Sequence, residues 1–315
     1  MTTVHESEIM KEKHVLVTGG IGLIGNAVRR KLDDRGTRVI AIDRIAGTID
    51  GRDVLECDVT DVHGLHALAR HFDISHIVHC GAYSGPMVSP DHPVQMVQVN
   101  IGGAANIGEL ARIVGNVRVV FAGTATAYGK TPNGPVHENT VMAPDSMYGA
   151  SKAAAEHVLN AYRLQFGVDT VSLRIGWVYG PRRSTSCLIR QMLLDGLAGR
   201  TTHIPFGPDF PRQYMHIDDA ADAMIAALDR PDLPQQAYNV TGGSWLSFGE
   251  IANIVREVLP EASIEFGQGD DPGDMRQEKF DISAAARDLG YRPRVALQDG
   301  MLSYLDWLQH QETGR

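Results

Sequence analysis

Two rhythms of apolar and polar positions run through the first half of the chain. Short runs that are apolar on successive positions read as strands at residues 14–18, 38–43, 54–58, 76–80, 118–122 and 170–174. Between them, residues 24–35, 62–70, about 94–114 and about 147–166 carry the three-to-four-residue spacing of helices. On the last of these, Ala150, Ala154, Val158, Ala161 and Leu164 or Gln165 mark the face expected to pack inward. Strands without a polar face, alternating with helices, predict an α/β fold: a doubly wound parallel sheet covered on both sides.

Beyond residue 180 the rhythm loosens into Pro-, Gly- and charge-rich loops at 181–186, 207–213 and 267–277, with short elements between them. The expected division is a nucleotide-binding domain at 13–180 plus about 214–242, and a smaller substrate-binding lobe at about 181–213 and 243–315. Residues 1–12 lack the hydrophobic segment of a secretion signal and read as a mobile extension.

Charge and cysteine content narrow the function classes. With 29 Lys and Arg against 38 Asp and Glu, the formal net charge is −9, the wrong sign for a nucleic-acid binder. No apolar run is long enough to span a bilayer. Cys57, Cys80 and Cys187 have no paired spacing, which predicts no disulfides and a cytoplasmic location.

The first predicted strand runs into Gly19-Gly20-Ile21-Gly22-Leu23-Ile24-Gly25 and then into a helix. Glycines there let backbone approach a pyrophosphate, whose charge is favoured at the helix N-terminus. Asp43 ends the second strand, where a carboxylate accepts from both adenosine ribose hydroxyls and repels a 2′-phosphate, so NAD is expected over NADP. Arg44 beside it is the feature that argues for NADP tolerance.

Tyr148 and Lys152 lie four residues apart, on one face of a predicted helix. A phenol of ordinary pKa near ~10 is a poor base at neutral pH. A neighbouring ammonium and a cationic nicotinamide favour the phenolate, and Lys152 is also in reach of the nicotinamide ribose.

Seven stretches, in order, carry a resemblance. They are VTGGIGLIG (17–25), CDVTD (57–61), VNIGGAANI (99–107), AGTATAYG (122–129), YGASK (148–152), LRIGWVYGPR (173–182) and RQYMHIDDAADAM (212–224). Over residues 13–310 the chain resembles the extended short-chain dehydrogenase/reductases of the NAD-dependent epimerase/dehydratase family. The resemblance implies a Rossmann-type sheet, NAD as cofactor, and a homodimer formed through the two long helices. It places Asp58 and Val59 at the adenine, and Gly81 and Ala82 along the cofactor. Asn100 would brace the site from its helix. Thr124 would hydrogen-bond the reacting oxygen, Tyr148 would serve as general acid/base, and Lys152 as its electrostatic partner.

The departures bear on the substrate. Family dehydratases and decarboxylases carry an acidic residue after the Ser/Thr, whereas Thr124 is followed by Ala125 and Thr126, which disfavours elimination. Nucleotide-sugar epimerases of the family usually have Asn where this chain has Trp177. Arg212 and Arg276 match positions that hold phosphate in those members, with Arg182 and Arg183 nearby; arginines clamp carboxylates equally well. Ser84 and Met87, in the loop after Ala82, are expected to face the substrate with Thr126.

Weaker signals yield no site. His63, His66, His71, His76 and His79 span a helix, a loop and a strand and would not converge on a metal. Asp218 reads as a helix N-cap, and Cys187 as a reactive thiol only if its pKa is depressed. The function expected is NAD-dependent hydride transfer at a carbinol carbon of a sugar or sugar acid. The alternatives are a nucleotide-sugar 4-epimerase retaining NAD and, in another class, a non-catalytic NAD-responsive binding protein.

Overall fold

The computed structural model describes residues 12–88 and 91–313. Except for Glu12, the extension expected at 1–12 lies outside the described residues. Every predicted strand forms, with ends displaced by a few residues: β1 (Lys13–Thr18), β2 (Val39–Asp43), β4 (Arg52–Glu56), β5 (Asp73–His79), β6 (Arg118–Thr124) and β7 (Asp169–Ile175). β3 (Gly47–Ile49) pairs antiparallel with β4, a hairpin absent from the predicted elements. Downstream lie β8 (Trp177–Tyr179), β9 (Thr201–Ile204), β10 (Pro211–Arg212), β11 (Tyr214–His216), β12 (Ala237–Val240), β13 (Leu246–Ser247) and β14 (Ser263–Phe266).

Eight strands form one sheet in the order β12-β7-β6-β5-β1-β2-β4-β3, parallel except at the hairpin. From β1 the chain winds outward to β2 and later to β5 on its other side. The carboxyl ends of β1 and β5 are therefore the switch point where such sheets open a crevice.

Helices α1 (Leu23–Asp34) and α7 (Ile217–Asp229) pack on one face, where Val28, Leu32, Ala220 and Met224 are fully buried. α2 (Val62–His71), α4 (Gly103–Val114) and α5 (Met147–Phe166) cover the other, around Leu65, Ile107, Leu110 and Ala155. The predicted helix at about 94–114 is three pieces: α3 (Pro93–Val97), a π-type turn at Gln98–Gly102, and α4. A separate apolar cluster joins α6 (Leu188–Leu197), α8 (Phe248–Val258) and α9 (Leu297–Thr313) through Ile189, Met192, Phe248, Val255, Met301 and Tyr304. No described helix is long and apolar enough to cross a membrane.

α5 spans the predicted residues because both ends are chemically marked. Ser146 caps its first turn by accepting from Gly149 N, and Gly167 ends it at φ 71, in the left-handed region. Its packing face differs from expectation. The buried residues are Tyr148, Ser151, Lys152, Ala153, Ala155, Glu156 and Leu159, whereas Ala161, Leu164 and Gln165 are exposed. Ala150, Ala154 and Val158 are half-buried, so the stripe read from the sequence lies along the flank of the helix and turns outward at its C-terminal end, because the inner face carries the polar groups of the site. α7 also starts differently: His216 caps it, its Nδ1 accepting from Asp218 N at 3.3 Å, and Asp218 stands inside the first turn.

Candidate active site

The crevice at the switch point is a cavity of about 500 Å³. The glycine loop shapes one wall. Gly19 has φ +68, and a Cβ there would lie 2.8 Å from the Cys80 carbonyl carbon and the Gly81 nitrogen. A Cβ on Gly25 would lie 2.1 Å from Gly19 O, so helix and loop close only on glycine. α1 begins at Gly22 with no side chain capping it. The first-turn N–H groups of Leu23, Ile24 and Gly25 have no intrahelical acceptor and stand on the cavity wall. An uncapped positive helix end without Cβ atoms in front of it suits a pyrophosphate.

Asp43 stands at the mouth, its Oδ2 accepting from Ile21 N (3.0 Å) and its Oδ1 from Arg44 N (2.8 Å). Asp58 lines the same wall, its Oδ1 held by Thr60 N and Oγ1, both at 2.8 Å. Val59, Gly81 and Ala82 continue that wall. Asn100, in the π-type turn, does not line the cavity. Its Oδ1 accepts from Tyr83 N at 2.8 Å, and its Nδ2 donates to Tyr83 O and to Ser151 Oγ at 2.9 Å, fastening the loop after β5 to α5.

At the far end Thr124, Tyr148 and Lys152 converge with Ser84, Met87, Thr126 and Trp177. Thr124 ends β6, and its Oγ1 accepts from Thr126 N at 3.2 Å, which turns the hydroxyl proton toward other acceptors. The hydroxyls of Thr124 and Ser84 stand beside the Tyr148 phenol. Burial pushes the phenol pKa above its ordinary value; those two hydroxyls and the Arg183 charge act the other way. This net displacement runs against the lowering expected from Lys152, and the cation acting on the phenol is Arg183. Lys152 Nζ lies 4.1 Å from the Phe121 ring centroid, and burial pushes its pKa down to about 8 against the pull of Cys80 and Glu156. The Cys80 thiol is itself pushed up to about 12 by burial.

A buried network absent from the sequence reading holds α5 in place. Glu156 receives Arg174 Nη2 at 2.5 Å, Arg174 Nη1 reaches Tyr128 Oη at 2.6 Å, and Tyr128 donates to Asn239 Oδ1 at 2.7 Å. The partners are up to 111 residues apart, so local pattern carries no sign of them.

The expected substrate arginines are engaged elsewhere. Arg182 does not line the cavity; its Nη2 bonds Asp50 Oδ1 at 2.6 Å. Arg212 is buried against the Trp177 ring (4.2 Å), with Asp271 and Asp274 each 2.8 Å from Nη2. Arg276 pairs with Asp270 and donates to Asp209 O. Cys187 is buried, and the histidines stay dispersed, His63, His66 and His71 on α2 and His76 and His79 on β5. A hollow of about 650 Å³ lies at the amino ends of the strands, around Lys13, His76 and Arg118, away from the carboxyl ends where such folds bind ligands.

An open helix end beside the Asp43 carboxylate, leading to a Thr–Tyr–Lys cluster, is an arrangement suited to a dinucleotide-dependent oxidoreductase. Residues 15–241 match the NAD dependent epimerase/dehydratase family, and the chain belongs to it. It is an NAD-dependent enzyme of the short-chain dehydrogenase/reductase type, as the motifs implied. A UDP-glucose 4-epimerase from Thermus thermophilus, solved with NAD, is 31% identical, with a TM-score of 0.83 over 94% of this chain and 99% of its own. The UDP-glucose 4-epimerase of Mycolicibacterium smegmatis is 29% identical over 94% of this chain and 98% of its length. UDP-glucuronate 4-epimerase 4 of Arabidopsis thaliana is 27% identical over 93% of this chain and 74% of its length.

Proposed function

We propose that this chain oxidises a carbinol carbon of a sugar or sugar acid, with Tyr148 as the proton acceptor. The observation that carries the reading is the convergence of Thr124, Tyr148 and Lys152 in the cavity that begins at the glycine loop. Bound NAD supplies the hydride acceptor. Gly19, Gly22, Leu23, Ile24 and Gly25 would hold its pyrophosphate, Asp43 the adenosine ribose, and Asp58 and Val59 the adenine. Asp43 selects against a 2′-phosphate by charge.

The carbinol proton passes to Tyr148 Oη. Thr124 and Ser84, whose hydroxyls stand beside the phenol, would hold the same substrate oxygen. A phenol raised by burial keeps its proton at neutral pH, so Tyr148 must first yield that proton to solvent before it can accept one, which the nicotinamide charge of bound NAD would favour together with the cations beside it. Lys152 and Arg183 are the cations this chain places at that end of the cavity. The sheet segments 13–180 plus about 214–242 form the cofactor domain, and about 181–213 with 243–315 the substrate lobe; the separate apolar cluster of α6, α8 and α9 supports that division. Three unpaired cysteines support a reducing, cytoplasmic setting. Exposed apolar residues on the α4–α5 pair support a homodimer.

A second reading, 4-epimerisation of a nucleotide sugar, is favoured by the near full-length similarity to UDP-sugar 4-epimerases. Incubation with NAD and a panel of free sugars, sugar acids, UDP-glucose and UDP-glucuronate separates the two. Accumulating NADH means net oxidation, and an inverted product without NADH means epimerisation. Tight NAD binding with neither would leave a non-catalytic binding protein.

A further inference from the structure

Charges at the reactive end of the cavity are unbalanced. Among the described residues, the ionisable side chains lining the cavity, besides tyrosine and cysteine, are Asp43, Arg44, Asp58, Lys152 and Arg183. The first three belong to the cofactor wall, so Lys152 and Arg183 alone face the substrate end. Arg183 is 9% exposed, and among the described residues it has no carboxylate partner. Its Nη1 donates to Val178 O and its Nη2 to Ser186 O at 2.8 Å, while Nε has no hydrogen-bond partner. Neutral carbonyls position a guanidinium but leave its charge uncompensated, a costly state in a buried site unless an anion arrives. Tyr304 Oη of α9 donates to Arg183 O at 3.4 Å, which sets Arg183 beside the lobe.

Arg212 shows the opposite arrangement. Asp271 and Asp274 neutralise it, and the Trp177, Phe248 and Phe210 rings surround it at 4.2, 5.0 and 5.7 Å. The free space beside it is about 10 Å³, enough for a single water and not for a phosphate group. The lobe has thus filled one arginine with its own carboxylates and left the other, on the cavity wall, with carbonyl partners alone among the described residues.

We propose that Arg183 is the anion anchor of the substrate pocket, and that the substrate it selects is a carboxylate-bearing sugar without a nucleotide diphosphate. This rests on the oxidoreductase reading above and adds to it the chemical class of the substrate.

The test uses the whole chain with NAD and pairs of four- to six-carbon sugars, each a uronate or aldonate matched to its neutral counterpart, beside UDP-glucose and UDP-glucuronate. Wild type should favour the acid of the best pair by about 100-fold in kcat/KM, as a desolvated charge-assisted contact does. Arg183→Gln should lose about 30- to 100-fold on that acid, bringing the acid-to-neutral ratio toward one, and Arg183→Lys should recover part of it. Because Arg183 also holds two loop carbonyls, NAD affinity and circular dichroism of each variant check that the loop persists; the wild-type preference needs no variant at all. Preference for neutral or UDP-linked sugars, or a ratio that Arg183→Gln leaves unchanged, overturns the proposal and spares the oxidoreductase reading. Absence of turnover on every compound, with NAD still bound, overturns both.

Discussion

Lys152 carries an electrostatic cost. Burial lowers its pKa from about 10.5 to about 8, so the folded state binds its proton more weakly than the unfolded chain does. Stability rises with pH wherever the unfolded state holds more protons, which for this group is the window from about 8 to 10.5. Below that window the burial penalty is present in full; above it the penalty is gone. Lys152→Met should therefore raise the urea midpoint at neutral pH, with a smaller gain near about pH 9.5, while turnover is lost. A midpoint that falls at neutral pH would contradict this. At this scale the meeting of Thr124, Tyr148 and Lys152 in one cavity was legible because their motifs are short and contiguous. The arginines were not. Asp271 and Asp274 lie 59 and 62 residues from Arg212, and nothing local to Arg183 marks it as the one left open.

Among the elements, the glycine loop is the least forgiving. The Cβ of Gly25→Ala would meet the Gly19 carbonyl oxygen at 2.1 Å, a clash of backbone against helix that no rotamer relieves. We expect the variant to lose at least about tenfold in NAD affinity by fluorescence titration, since loop and helix end must separate. Unchanged affinity would place the dinucleotide elsewhere. Helix α5 shows what periodicity tells and what it hides. Its ends follow from Ser146 and Gly167, signals written in the residues themselves. Its orientation does not follow, because burying Ser151, Lys152 and Glu156 depends on Asn100 and Arg174, supplied by the π-type turn and β7. The β3–β4 hairpin escaped notice because three-residue strands carry too little apolar signal to count.

For the molecule as a whole, that outward stripe has a consequence. Leu164 is 73% exposed, Phe166 54% and, on α4, Ile113 53%, a set of apolar side chains that a second copy would cover. Leu164→Glu should convert a dimer to a monomer in sedimentation velocity without loss of NAD binding. A wild-type chain that sediments as a monomer at micromolar concentration contradicts the dimer. The sheet order was only partly legible: β12 joins β7 from more than 60 residues downstream, and its four residues pair by register that no local pattern encodes. The most direct trial of the central claim is the turnover of Tyr148→Phe with NAD on the sugar and sugar-acid panel, measured beside wild type. Deleting one oxygen from the proton-accepting side chain should cost at least about 100-fold in kcat while NAD still binds. A variant that turns over at the wild-type rate, or a wild-type chain with no affinity for NAD, would contradict it.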